Sequence, residues 1–176
     1  MKLIFTISIL LCLVTSQSLS QPGISAIGLE VGNKAPEIKL PDPEGDTIAL
    51  SSLRGKIVLI DFWANWCAPC LKEQPELISL YQKYRQSDFI NATGFAIYGV
   101  SLDSKNEEWV NTIKKFKMDW AQVSDLKFWN SGVARLYNIE EIPYNLLIDG
   151  NGIIVARNLH GKELNDELSK RLNHNQ

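Results

Sequence analysis

Unbroken apolar runs and alternating stretches divide this chain into a series of elements that can be read in order. Residues 56–63 carry the run Ile57-Val58-Leu59-Ile60, the pattern of a strand buried on both faces. Residues 95–102 read the same way. Earlier, Glu37-Ile38-Lys39-Leu40 and Thr47-Ile48-Ala49-Leu50 both alternate, and residues 41–46 between them are turn chemistry, so a β-hairpin is predicted. A helix is expected over residues 67–85 with a kink at Pro75. Ser104 is expected to cap a second helix reaching Lys117, with Glu107 and Glu108 in its first turn. A short strand over residues 121–123 and a short helix over residues 130–137 follow. Residues 144–149 and 153–158 read as strands joined by Asp149-Gly150-Asn151-Gly152, and residues 163–172 as a closing amphipathic helix. A hairpin, then strand–helix units, then a hairpin and a helix predict an α/β protein with a mixed sheet.

The first residues do not belong to that pattern. Met1-Lys2, an apolar run over residues 3–14 and small polar residues up to Ser20 read as a secretory signal. Ser18 and Ser20 stand at the −3 and −1 positions for cleavage before Gln21. The run is shorter than the roughly 20 residues of a membrane span, and an uncleaved anchor is the alternative reading. The expected location is therefore the periplasm or the outer face of the cytoplasmic membrane. Removal of residues 1–20 leaves 156 of the 176 residues and two of the three cysteines, Cys12 being lost. The formal charge moves from −2 to −3, because Lys2 is the only charged residue removed. Such mild acidity gives no reason to expect nucleic acid as a partner. Residues 21–34 read as an exposed lead-in and residues 35–176 as one domain, large enough to fold without disulfide staples.

Those two cysteines stand in Trp66-Cys67-Ala68-Pro69-Cys70, where the apolar strand hands over to a helix. Pro69 suits a first helical turn, where its missing N–H is not needed. A sulfur at that position faces unpaired backbone N–H groups and the positive end of the helix dipole, which favours thiolate over thiol. The ordinary thiol pKa of about 8.5 can fall to roughly 3.5–7.5 in such a motif. A thiolate with a second thiol one turn away can attack a disulfide, form a mixed disulfide and be displaced by its neighbour. A zinc site would need more Cys or His ligands than this spacing supplies. His160 and His174 lie far along the chain, and no metal site is expected. A c-type haem attachment would need His where Leu71 stands. A purely structural disulfide remains the plain alternative, although a loop this short removes little chain entropy.

Four blocks in order then resemble the thioredoxin-fold, extracytoplasmic TlpA/ResA-like thiol–disulfide oxidoreductases. They are Gly32-Asn33-Lys34-Ala35-Pro36 with the hairpin and residues 50–56, then Asp61-Phe62-Trp63-Ala64, then the CxxC turn with Pro75, and finally Ile142-Pro143 before Leu147-Ile148-Asp149. The resemblance implies a thioredoxin-like fold, a mixed central sheet flanked by helices, with an N-terminal β-hairpin extension. It implies Cys67 as nucleophile and Cys70 as resolving thiol, with Asp61 or Glu73 accepting the proton of Cys70. It implies Pro143 as a cis-proline and Ile142 as the residue whose backbone pairs with substrate. Trp66, Ala68 and Pro69 complete the expected substrate surface, while Trp109, Trp120, Phe128 and Trp129 are expected in helix packing. A lysine often present on the strand after the first helix would fall near Gly99, and none is there.

The expected function is reduction of protein disulfides by a monomer whose only redox group is the Cys67–Cys70 pair, without a separate cofactor. Cysteine-containing client proteins and a membrane-bound electron donor are the expected partners, with cytochrome c maturation or periplasmic thiol homeostasis as the setting. A thiol peroxidase is a second reading, weakened because Ala64 stands where peroxidatic sites want Thr or Ser. A disulfide-forming or isomerising oxidant is a third, and a non-catalytic binding module a fourth.

Overall fold

The computed structural model describes residues 25–173. The predicted signal segment, Cys12 and His174 lie outside the described residues. β1 (Lys39–Pro41) and β2 (Thr47–Ala49) form the N-terminal hairpin, with Leu40 opposite Ile48. Then come β3 (Ile57–Trp63), α1 (Ala68–Tyr84), β4 (Asp88–Phe89), β5 (Ala92–Thr93) and β6 (Phe95–Ser101). After α2 (Asn106–Phe116) and β7 (Ala121–Val123) the chain makes α3 (Gly132–Leu136), β8 (Tyr144–Ile148), β9 (Ile154–Arg157) and α4 (Gly161–Lys170). The central sheet has the order β7-β6-β3-β8-β9. β3 runs parallel to β6, and β6 to β7, whereas β8 is antiparallel to both β3 and β9.

Every residue of β3 and β6 is buried, as their continuous apolar runs require of strands covered on both faces. α1 turns Cys70, Gln74, Leu77, Leu80 and Tyr84 inward, a spacing of three and four that makes one helical face. The hairpin is tied to the sheet by the Tyr98 hydroxyl, which donates to the Ile48 carbonyl at 2.8 Å. Residues 26–35 run along the outer side of the sheet. The Gly32 amide donates to the Ile154 carbonyl, the Ile154 amide to the Asn33 carbonyl, and the Ala35 amide to the Gly152 carbonyl. These bonds use the free side of β9, which would otherwise be an open edge.

Several boundaries differ from the sequence expectation for local reasons. Lys105, not Ser104, is the last extended residue before α2, and no side chain caps that helix. The expected helix over residues 130–137 is two pieces, a 3-10 turn at Phe128–Asn130 and α3, because Ser131 lies between them in an extended conformation and caps the second. α4 starts at Gly161, two residues early, with His160 as its cap residue. Residues 88–93 are a small hairpin, β4 and β5, turned at Asn91 with a positive φ of 62°.

Leu59 is 0 % exposed in the middle of β3. Leu59→Ala is expected to lower unfolding stability by about 2–5 kcal/mol. Denaturant titration of the far-ultraviolet signal measures this directly.

Candidate active site

Cys67 is the cap residue of α1, with an extended backbone (φ −85°, ψ 94°), and its sulfur accepts the Cys70 amide N–H at 3.2 Å. Cys67 and Cys70 form a disulfide with Cα atoms 5.2 Å apart. Cys70 is 1 % exposed and Cys67 5 %, so both are buried and the first residue is slightly the more open. Ala68 and Pro69 are exposed at the helix start, and Pro75 lies inside α1 as expected. The Ile142–Pro143 peptide bond is cis. It leads into β8 and brings the Ile142 carbonyl oxygen within 3.7 Å of the Cys67 sulfur.

Asp61 sits in β3 and is 3 % exposed. Its partners in register are Gly99 on β6 and Asn145 on β8. Burial, and to a lesser extent the negative charge of Glu73 on α1, together raise its pKa to about 7. A Cβ at Gly99 would come within 2.4 Å of the Gln122 side-chain oxygen, which accepts the Trp63 indole N–H at 3.0 Å. A glycine with Gln122 beside it therefore stands where the lysine was absent from the sequence.

Trp66 is 43 % exposed next to Cys67 and packs on Phe128 and Trp129, with ring centroids 5.1 and 6.0 Å away. Trp109 and Trp120 are core residues and Trp129 packs partly buried against the core, as expected, but Phe128 is exposed. Phe128 is 40 % exposed at a positive φ of 53°. The loop holds this conformation because the Ser124 hydroxyl accepts the Leu126 amide, and the Asp125 carboxylate accepts the amides of Lys127 and Gly132. The three rings make an apolar surface beside the disulfide.

Two site residues escaped the sequence reading. Asp103, just beyond β6, accepts the Asn65 amide N–H at 3.2 Å, the Asn65 side-chain N–H at 2.6 Å and the Ser101 hydroxyl at 2.7 Å. It holds the turn leading into Trp66-Cys67, while burial pushes its carboxyl up against the opposing effect of those bonds. A carboxylate just past the end of a largely apolar strand was the available signal. The other is His160, whose ring reaches the Glu73 carboxylate at 3.0 Å although 87 positions separate them. Nothing local in the sequence announces that pairing. Among the described residues no cluster of three or more His, Cys, Asp or Glu is arranged to hold a metal ion.

The AhpC/TSA family matches this chain over residues 31–157. The chain belongs to that family. It is 28 % identical over 144 residues to the thiol-disulfide oxidoreductase ResA of Bacillus thuringiensis, covering 82 % of this chain and 78 % of that one. It is also 36 % identical to the thioredoxin domain of a thiol-disulfide oxidoreductase from Bacteroides vulgatus, with a TM-score of 0.74, covering 83 % of this chain and all of that domain. A thiol:disulfide interchange protein from Bacteroides sp. gives 35 % identity and a TM-score of 0.72, with coverage of 84 % and 93 %. The fold is thus thioredoxin-like, of the TlpA/ResA-like branch, and the protein is a thiol–disulfide oxidoreductase.

The buried acid makes a stability prediction. The Asp61 proton is held to about pH 7 in the folded chain but released near 3.8 in the unfolded one. The folded state therefore binds the extra proton between those values, and stability falls as pH rises through that window. Asp61→Asn is expected to leave stability near pH 4 almost unchanged and to raise it above pH 8 by on the order of 4 kcal/mol. Thermal or denaturant unfolding across pH measures it, and equal pH dependence in both proteins would refute it.

Proposed function

We propose that this oxidoreductase is exported and works as a reductase of protein disulfides, with Cys67 as the attacking thiolate and Cys70 as the resolving thiol. The observation that carries the reading is the Cys67 sulfur, held by the Cys70 amide at the start of α1 and facing the Ile142 carbonyl. The helix dipole and the amide N–H stabilise negative charge on that sulfur in the reduced state. A client strand pairing with the Ile142 backbone would set its disulfide beside Cys67, a form of strand addition.

The electrons then balance simply. Cys67 thiolate attacks one client sulfur, the client S–S bond breaks, and the other client sulfur leaves as a thiolate that takes a proton from solvent. Cys70 next gives its proton to Asp61 and attacks the Cys67 sulfur. The mixed disulfide breaks, the client leaves fully reduced, and the Cys67–Cys70 bond carries its two oxidising equivalents. A thiol donor on the outer face of the membrane would return the pair to the dithiol. Trp66, Ala68 and Pro69, exposed around the sulfur, would contact the client, and the chain would act as a monomer. Cytochrome c maturation, where haem-binding cysteines must stay reduced, fits this chemistry. Among the described residues no helix is long and apolar enough to cross a membrane.

The first experiment is the equilibrium reduction potential of the Cys67–Cys70 pair in graded thiol/disulfide buffers. The expected value is near or below about −250 mV, whereas about −120 mV would identify an oxidant and overturn the reductive direction. Single substitutions test the roles. Cys67→Ser is expected to abolish insulin reduction, and Cys70→Ser to trap a covalent client adduct visible by intact mass. Asp61→Asn is expected to slow release of that mixed disulfide in the chain retaining both cysteines by about 100-fold at neutral pH, the ordinary scale of a lost proton acceptor.

A further inference from the structure

The loop between β9 and α4 is built with unusual care for a surface connection. Asn145 is 3 % exposed on β8, directly opposite Asp61, and both ends of its amide are committed to one residue. Its oxygen accepts the Leu159 amide N–H at 3.0 Å, and its nitrogen donates to the Leu159 carbonyl at 2.7 Å. The Asn158 amide also donates to the Asn145 carbonyl at 2.7 Å. The next residue is His160. Its Nδ1 lies 3.0 and 3.1 Å from the two oxygens of the Glu73 carboxylate, and its Nε2 lies 3.0 Å from the Asn158 side-chain oxygen. An ionised carboxylate only accepts, so Nδ1 carries the hydrogen.

Strand register, hydrogen bonds and one electrostatic influence link four polar groups in sequence. Asp61 pairs across the sheet with Asn145, Asn145 fixes the loop at Leu159, the loop carries His160, and His160 holds Glu73. Glu73 in turn acts electrostatically on Asp61. Other charged groups lie nearby. Glu76 on α1 is 3.4 Å from where a Gly161 Cβ would stand, Glu163 donates its amide to the His160 carbonyl, and Lys162 is paired with Asp166. Of the carboxylates on α1, Glu73 is the one bonded to the imidazole.

We propose that His160 is a positioning residue for release of the mixed disulfide: its Nδ1–H holds the Glu73 carboxylate in place and offsets part of its charge, and so controls how Glu73 acts on Asp61. This rests on the release step described under the proposed function. Without the imidazole, Glu73 presents its full charge to the buried acid. Asp61 then keeps its proton to higher pH, and Cys70 finds fewer Asp61 carboxylates free to accept its own proton at neutrality.

Equimolar Ellman's reagent added to the reduced chain tests this in one absorbance trace. Attack by Cys67 frees the first thionitrobenzoate, and attack by Cys70 frees the second. His160→Ala is expected to slow the second phase relative to the first by about two- to tenfold at pH 7, the scale of one coupled pair. The midpoint of its pH profile is expected to move upward. His160→Gln keeps an N–H donor and should recover most of the loss. In a Glu73→Gln background, His160→Ala should have no further effect. An unchanged second phase and midpoint in His160→Ala would overturn the inference, as would an effect of His160→Ala that persists in full in the Glu73→Gln background. A native chain that never frees the second thionitrobenzoate would overturn the release step itself, which separates the two failures. Unfolding midpoints identify any variant that fails to fold, and His160→Gln and Glu73→Gln then carry the comparison.

Discussion

A carboxyl group in the middle of a strand buried on both faces is the constraint around which this site is organised. β3 is hydrogen-bonded on either side, so Asp61 cannot turn toward water without unpairing the centre of the sheet. Its neighbours in register are a glycine and an asparagine, and neither supplies a positive charge. Its protonation is therefore decided by burial and by one other acid, Glu73. The apolar run that makes β3 a rigid centre also makes its single acid hold a proton near neutrality. Foldability and proton chemistry come from the same residues.

Polar bonds, more than apolar packing, position the segments that meet at the disulfide. Asp103 holds the turn before Cys67, and Asn145 holds the loop that carries His160. Each is a buried side chain with more than one partner, and leaving such a partner unsatisfied costs about 1–3 kcal/mol. That asymmetry makes polar clamps more specific about geometry than hydrophobic contacts, which tolerate sliding. Trp66 and Phe128 form the contrasting side, where large apolar surface is left open to solvent, with Trp129 packed partly buried beside them. In the proposed reaction a hydrophobic side chain beside a client cysteine would gain free energy by covering those rings.

How much of this could be read from the chain depends on the range of the interaction. β3 and β6 were legible because a buried strand writes its environment into successive residues. The start of α1 was legible because Cys67 and Pro69 are local signals, and the Asp149–Gly152 turn carries its own chemistry in the Asp149 side chain, which accepts the amides of Asn151 and Ile153. Glu73 and Ile142-Pro143 came from family resemblance, since propensity alone does not mark them. The pairing of His160 with Glu73 spans 87 positions and leaves no periodic trace. Phe128 was misread for a related reason. An aromatic near a short helix has the composition of a core contact, and only bonds from Ser124 and Asp125 turn that loop outward.

The two sulfurs consequently occupy opposite electrostatic surroundings although their Cα atoms are 5.2 Å apart. Cys67 meets an amide N–H and the positive end of a helix, both of which favour a thiolate. Cys70 is 1 % exposed, and Glu73 stands three residues further along the same helix, near it on that face. A symmetric pair would offer either sulfur to a client and could not order attack before release. In the proposed cycle the backbone would activate the outer sulfur, and the side chains around Asp61 would govern when the inner one loses its proton. The separation explains why a helix start alone does not make a working exchange site. The same CxxC turn on a polar strand would lack the buried acid that the proposed release step uses.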